Sequence, residues 1–268
     1  MSQLALPLME TPSSSWGLTF YLGTHRPHHL GLTSVPLFVS NRTLYRRKSF
    51  PRARGRWALD SGGFSELSLF GEWTTTARDY VRLARRYRDE IGKLDWAAPQ
   101  DWMCEPFITD KTGLTVLEHQ RRTIDSVQEL RDLAPEMPWI PVLQGWRLRD
   151  YLHHLDMYAK AGIDIASEPV TGVGSVCRRQ ATSEGVAIVR RLVEEGVKVH
   201  GFGFKQTGLL RLNGCEGMVS ADSLAWSFSA RYRPPMSGHT HKTCANCLPY
   251  ALLWRSDLMA LLGLEQFQ

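Results

Sequence analysis

The chain has 268 residues, 43% hydrophobic and 10% aromatic, enough apolar material for the core of one large domain and too much for a disordered or fibrous chain. No apolar run approaches the ~18 residues of a membrane helix, so a membrane partner is excluded. The formal charge of +5 admits a polyanionic partner, while five cysteines, an odd number, behind a first stretch lacking a basic n-region point to a reducing, cytoplasmic compartment instead of a disulfide scaffold.

After a lead-in over residues 1–17, strands are expected at Leu18–Thr24, Val35–Ser40 and Arg56–Asp60. Between the last two, Asn41–Gly55 reads as a basic loop. Together with Arg56 it places Arg42, Arg46, Arg47, Lys48, Arg52 and Arg54 in one stretch without an acid, either a solvated loop or a phosphate-contacting patch. A helix follows at Ala77–Ile91, with Tyr80, Leu83, Ala84 and Tyr87 on one stripe, then a strand at Leu94–Gln100. Next come a long helix at Leu114–Leu133, turning Leu117, Ile124, Val127, Leu130 and Leu133 inward, a strand at Trp139–Gln144, a helix at Leu148–Ala161 and a strand at Asp164–Glu168. A helix at Glu184–Glu195 and strands at Lys198–Phe204 and Gly217–Ala221 complete the series, with Gly162 and Gly196 placed as helix stops.

Eight strands, mostly apolar on both faces and alternating with helices, predict an α/β fold, a (β/α)8 TIM barrel over residues 18–233. A doubly wound sheet would want a glycine-rich phosphate loop after the first strand, and GTHRPHH is not one. Residues 234–268 break the pattern and form a short Cys/His segment expected to pack on the barrel.

Function in a barrel sits at the C-terminal ends of the strands. Those ends carry Thr24-His25, Ser40, Asp60-Ser61-Gly62-Gly63-Phe64, Gln100-Asp101, Gln144-Gly145, Gly172–Ser175, Gly203-Phe204-Lys205 and Asp222-Ser223. Any one of these aspartates alone reads more readily as a helix N-cap than as a catalytic group. Three on one rim with a glutamine are harder to explain so, because carboxylates sharing a pocket repel and one is driven toward protonation. That division suits a nucleophile and a general acid/base. His25 either contacts substrate or is a hydrogen-bonded structural histidine. Trp57 and Trp96 read as core, and Cys104, Cys177 and Cys215 as buried small residues.

DSGGF (Asp60–Phe64), VLQG (Val142–Gly145) and ADS (Ala221–Ser223) resemble motifs of the tRNA-guanine transglycosylases. FYLGTH, WALDSGGFSELSLFGEW, Gln100-Asp101, GVGSVCRR, HGFGFK and SADSLAWS are closer to a relative, the phage and bacterial deoxypurine-in-DNA protein A branch, over roughly residues 18–255. The resemblance implies exchange of guanine in DNA for a 7-deazaguanine of preQ0 type through a covalent aspartyl-glycosyl intermediate. Asp222 would be the nucleophile and Asp60 the general acid/base. Asp101, Gln144 and the amides around Gly172 and Gly174 would read the base edge, beside Ser61, Gly62 and His25. Phe64 and Phe204 would sandwich the ring or else pack the barrel top, and Arg46, Arg47, Lys48, Arg52, Arg178 and Arg179 would hold phosphates. Two departures from the tRNA enzymes favour DNA, or at least a substrate other than the standard tRNA: Ser65 stands where they commonly carry glutamine, and the tail over His239–Cys247 replaces their zinc motif of three close cysteines and a distant histidine, with no appended RNA-binding domain expected. The alternatives are the same chemistry on tRNA, or a non-catalytic nucleic-acid-binding subunit, against which the presence of both Asp60 and Asp222 argues.

In the tail, Cys244-x-x-Cys247 has zinc-knuckle spacing, with His239 and His241 close by. The spacing suits a structural zinc closed by one or both histidines, or a reduced, unliganded cluster. No organic cofactor is expected, and the oligomeric state is left open.

Overall fold

A computed structural model describes residues 16–264, so nearly all of the expected lead-in lies outside the described residues. Eight strands are present: β1 (Thr19–Thr24), β2 (Leu37–Ser40), β3 (Trp57–Asp60), β4 (Leu94–Ala97), β5 (Val142–Leu143), β6 (Thr171–Val173), β7 (Val199–Gly201) and β8 (Met218–Ser223). All pair in parallel, in the order β4-β3-β2-β1-β8-β7-β6-β5. The circle closes between β4 and the stretch before β5 by one bridge, Ala97 to Trp139. Two backbone bonds carry it, Ala97 N to Pro138 O at 3.0 Å and Ile140 N to Ala97 O at 3.2 Å. The fold is the expected TIM-like (β/α) barrel, with the Cys/His cluster near its C-terminus.

The two faces of the strands feed two apolar layers, which is why the strands read as continuous hydrophobic runs. Inside the barrel, Tyr21, Ala58, Trp96, Ala98 and Ile140 pack with Phe38, Val170 and Phe202. Outside, Val39, Trp57, Leu59, Val199 and Met218 pack against helix residues such as Tyr80, Ala84, Tyr87, Ile124 and Leu192. Helix Ala77–Ile91 has the expected bounds and is capped by the Thr76 hydroxyl. In helix Val116–Leu133 the buried face also carries His119, Gln120 and Thr123, whereas Leu117, in the first turn, is exposed. Gly162 and Gly196 end their helices with φ of 80° and 84°, a left-handed stop that favours glycine.

Three segments depart from the sequence-based expectation. Asp164–Glu168 is not a strand: Asp164 accepts hydrogen bonds from Ala166 N and the Ser167 hydroxyl, and this local capping winds Ile165–Ser167 into a 3-10 turn. The sixth strand is Thr171–Val173, one step later. Asn41–Gly55 opens with one helical turn, Asn41–Leu44, capped by Ser40. After the Cys/His cluster a helix runs from Leu248 to Leu261, and Ala251, Leu258 and Met259 on it join the main core. Trp57 and Trp96 are buried as expected, as are Cys104 and Cys215, but Cys177 is only half-buried, at a cavity. Among the described residues no helix is long and apolar enough to cross a membrane.

Candidate active site

A cavity of about 380 Å3 opens at the C-terminal ends of the strands, within the ~300–1,000 Å3 typical of small-molecule sites. Asp60, Asp101, Gln144, Gly174 and Asp222 all line it, together with Gly63, Phe64, Ser175 and Gly203, so nine of the residues expected on this rim converge. Glu105, Cys177 and Phe202 line it as well.

Asp60 is the last residue of β3, and the turn after it fixes its direction. Gly62 sits at φ 86° and its N–H donates to Asp60 Oδ1 at 3.1 Å. A Cβ on Gly62 would stand 2.7 Å from Arg42 Cγ, so both the conformation and the space require glycine. The helix that follows, Gly63–Phe70, is pinned by buried Glu66, which accepts from Arg42 Nη1 at 2.6 Å and from Thr74 N at 3.0 Å. Burial raises the Asp60 pKa above the ordinary aspartate value. Hydrogen bonds from Ser40 and Gly62 oppose that shift, and the charge of Asp222 adds to it.

Asp101 follows β4 and Gln144 follows β5, and the two meet across the closing seam. Gln144 Nε2 donates to Asp101 Oδ2 at 2.5 Å, and Ser61 Oγ donates to Oδ1 at 3.4 Å. Burial outweighs these bonds and moves the Asp101 pKa up to about 7. The Gln144 backbone is held on both sides: its N–H donates to His154 Nδ1 at 2.9 Å, and its carbonyl accepts from Gln120 Nε2 at 2.8 Å. Burial drops the His154 pKa to about 3, so the ring is neutral and Nδ1 is a dependable acceptor. The Gln144 amide also fills the space where a Cβ of Gly174 would stand, 2.2 Å from Nε2.

Asp222 lies near the end of β8. Gly203 N donates to its Oδ1 at 2.9 Å, and His200 Nε2 stands 3.4 Å from the same oxygen, too long and poorly aligned for a firm hydrogen bond. His200 Nδ1 is within 2.9 Å of Ser220 Oγ, and burial lowers the His200 pKa, which keeps the ring neutral. Asp222 Oδ2 has no protein hydrogen-bond partner among the described residues, and Asp222 lines the cavity.

The family model for DeoxyPurine in DNA protein A (DpdA) matches residues 18–263. The chain belongs to the deoxypurine in DNA protein A family. Among curated proteins none matches it. The deoxypurine in DNA protein A family is related to the transglycosylases, which makes this member, broadly, a glycosyl-transfer enzyme with DNA as its substrate.

Some expected contacts of this deoxypurine in DNA protein A member fall elsewhere. Phe204 is fully buried in the main core and cannot stack on a substrate; Gly203, at φ 66°, breaks the strand alternation after β7 and turns Phe204 away, leaving Phe202 at the cavity. Gly172 lies within β6, packed against Phe202 and Val142. Gly62 and Ser61 act through Asp60 and Asp101. His25 is exposed and off the cavity wall; the structural histidine of that turn is His29, with Nδ1 2.9 Å from Thr24 Oγ1.

The basic residues separate into two kinds. Arg46, Arg47, Lys48 and Arg52 are exposed, although Arg52 donates to the Asp89 carbonyl at 2.9 Å. Arg42 is engaged by Glu66, and Arg56 pairs with Asp95 at 3.2 Å at the opposite end of the barrel. Arg179 is also occupied: it stacks 4.0 Å over Trp146, pairs with Glu184 and donates to the Trp146 carbonyl. Arg178 lies over Phe107 at 4.7 Å and Phe64 at 5.5 Å, and Phe64, 43% exposed, stands at the cavity mouth. The Arg56–Asp95 pair lines a second cavity of about 420 Å3 with Tyr21, Trp96 and Trp139, which lacks the convergent carboxylates of the first.

The Cys/His tail folds into one cluster. The donor atoms of His239, His241, Cys244 and Cys247 lie within 4.8 Å of one another, a set able to hold a metal ion. Both histidines join it, which the spacing alone left open.

Proposed function

We propose that this enzyme exchanges a guanine in DNA for a 7-deazaguanine base of preQ0 type through a covalent aspartyl-glycosyl intermediate. The reading rests on one observation: Asp60 and Asp222 share a cavity with the Asp101–Gln144 pair, and the charge of Asp222 acts on Asp60. Breaking an N-glycosidic bond leaves positive charge on the sugar and an electron pair on the base. Asp222 attacks the anomeric carbon as the bond to the base breaks, and Asp60, biased toward its protonated form, gives its proton to the departing guanine. The incoming base returns a proton to Asp60, attacks the same carbon and displaces Asp222, so two inversions retain configuration. The Asp101 carboxylate accepts from the N–H donors of the guanine edge, and the second Nε2 hydrogen of Gln144 is the donor for its carbonyl. The target base must leave the stack to reach this cavity. Phe64 and Arg178 at the mouth offer it a ring face and a cation, with the exposed Arg46, Arg47, Lys48 and Arg52 for phosphates.

The Cys/His cluster fits structural zinc. A tetrahedron with bonds of ~2.3 Å to sulfur and ~2.0–2.1 Å to nitrogen has edges of about 3.4–3.8 Å. Four of the six edges are near this range, 3.4 Å between the histidine nitrogens and 3.2, 3.5 and 3.7 Å between nitrogens and sulfurs, while the whole donor set spans up to 4.8 Å and would draw in around an ion. Four protein donors leave no position for substrate, so the metal would serve as a crosslink.

The test is incubation with labelled 7-deazaguanine and either DNA or tRNA, followed by nucleoside analysis. Label in DNA is expected; label only in tRNA would move the substrate, and label in neither would remove base exchange. Asp101 adds a pH dependence. Its carboxyl is protonated below about 7 and then loses acceptor capacity, so KM for the free base should rise as pH falls through 7 and level off above it. A KM for the base that stays flat from pH 5 to 8 would take Asp101 out of base recognition.

A further inference from the structure

Behind the base-reading pair lies a fourth carboxyl, which the mechanism above does not use. Glu105 is only 3% exposed and occupies the N-cap position of helix Pro106–Thr112, yet it makes no side-chain cap. Its Oε2 instead lies 2.7 Å from Ser175 Oγ. That hydroxyl is crowded: Gln144 Oε1 is also 2.7 Å away, and Cys104 N donates to it at 2.7 Å. Ser175 is held at φ 57°, a left-handed conformation uncommon outside glycine, which fixes where the hydroxyl stands.

Counting hydrogens decides the polarity of this network. A serine hydroxyl has one hydrogen to give and two lone pairs to accept with. Cys104 N–H occupies one lone pair. The two oxygen–oxygen contacts each need one hydrogen between them, and Ser175 supplies only one. The Gln144 carbonyl oxygen has none, because its amide nitrogen faces Asp101. With the amide in this orientation the remaining hydrogen comes from Glu105: Glu105 donates to Ser175, Ser175 to Gln144 Oε1, and Gln144 Nε2 to Asp101. Each donor and acceptor in the chain is then matched once.

We infer that Glu105 is a neutral carboxylic acid in the working enzyme and, through Ser175, a positioning residue that fixes which end of the Gln144 amide faces the base. The inference rests on the base-reading role given above to Gln144 and Asp101. Were Glu105 ionised, Ser175 would have to donate to it, and the Gln144 amide would turn over and present its nitrogen to Ser175. Its oxygen would then face Asp101 and be tolerated only with a proton on that aspartate. The network therefore holds one proton between two carboxyls, and its location sets the pattern that the base meets. The surroundings agree in direction. Burial raises the Glu105 pKa; the Ser175 hydroxyl and the charges of Arg178 and Arg179 pull it down without cancelling the shift, and Cys104, Cys177 and Tyr151 face it from the neighbouring elements.

The deciding measurement is the infrared difference spectrum of wild type against Glu105→Gln at neutral pH, with no base present. The carbonyl stretch of a protonated carboxylic acid should appear in wild type and vanish in the variant; carboxylate bands vanishing in its place would overturn the inference. This readout holds even if the protein proves not to exchange bases, so the two ideas fail separately. The second readout is affinity for free guanine by calorimetry. Glu105→Gln keeps a donor to Ser175 and should bind within about threefold of wild type, while Ser175→Ala and Glu105→Ala should each weaken binding by roughly tenfold or more. Glu105→Gln weakening binding as much as the alanine variants would also sink the positioning role.

Discussion

Replacing Asp222 by alanine should abolish base exchange, with a loss of roughly 10⁴-fold or more, the scale on which removing a covalent nucleophile acts. Wild type mixed with substrate DNA and denatured should show a protein–DNA adduct, and Asp222→Ala should show none. The expectation follows from the two carboxyls being unlike. Asp222 has one oxygen held by the Gly203 amide and the other without a protein partner among the described residues, whereas burial biases Asp60 toward the acid form. Asp60→Asn should therefore cost about 10²–10⁴-fold, the range of a lost general acid. A wild-type level of adduct persisting in Asp222→Ala would require another nucleophile.

Removing the metal proposed for the tail should lower the stability of the fold. Cys244 is buried with Ala230 and Ala245, and Ser227 Oγ donates to the Ala245 carbonyl at 2.6 Å. Ala230 and Ser227 belong to helix Ala225–Ala230, which starts two residues after β8 and three after Asp222. The cluster thus joins the helix behind the proposed nucleophile to the terminal helix Leu248–Leu261. A structural metal site in a folded domain is worth at least several kcal/mol. At roughly 2–4 °C of melting temperature per kcal/mol for a chain of this size, Cys247→Ser or a strong chelator should lower Tm by on the order of 10 °C. Purified wild type should carry about one zinc per chain by elemental analysis. Protein free of metal as isolated, with a melting curve indifferent to chelator, would leave the cluster as reduced cysteines and histidines.

The sequence discloses the barrel because parallel strands are apolar on both faces and each ends where polar residues begin. DSGG, VLQG and ADS could therefore be placed on one rim before any coordinates, and the aspartates and the glutamine do meet there. What it conceals is of two kinds. Thr171–Val173 is three residues long with a central glycine, too short for a period, and the more strand-like Asp164–Glu168 is diverted by its own capping aspartate. Glu105 and Ser175 touch across 70 positions of sequence. The Glu-Pro pair marks a helix start but carries no sign that the glutamate is buried against a second strand end. Phe202 and Phe204 have the same strand parity, and only the left-handed Gly203 between them separates the cavity from the core. Basic side chains were the least legible class, since a run of arginines does not reveal which are already partnered by Glu66, Asp95 or Glu184.

The way the barrel shuts has a consequence for its ligand. Seven strand junctions run on ladders, but the eighth hangs on the single Ala97–Trp139 bridge. Directly above that weakest junction, Asp101 on one lip and Gln144 on the other are joined only through their side chains. A purine gripped by both would act as a clasp, and breathing of the wall would loosen the grip on the base. In such an arrangement, recognition of the base and integrity of the wall become a single cooperative event.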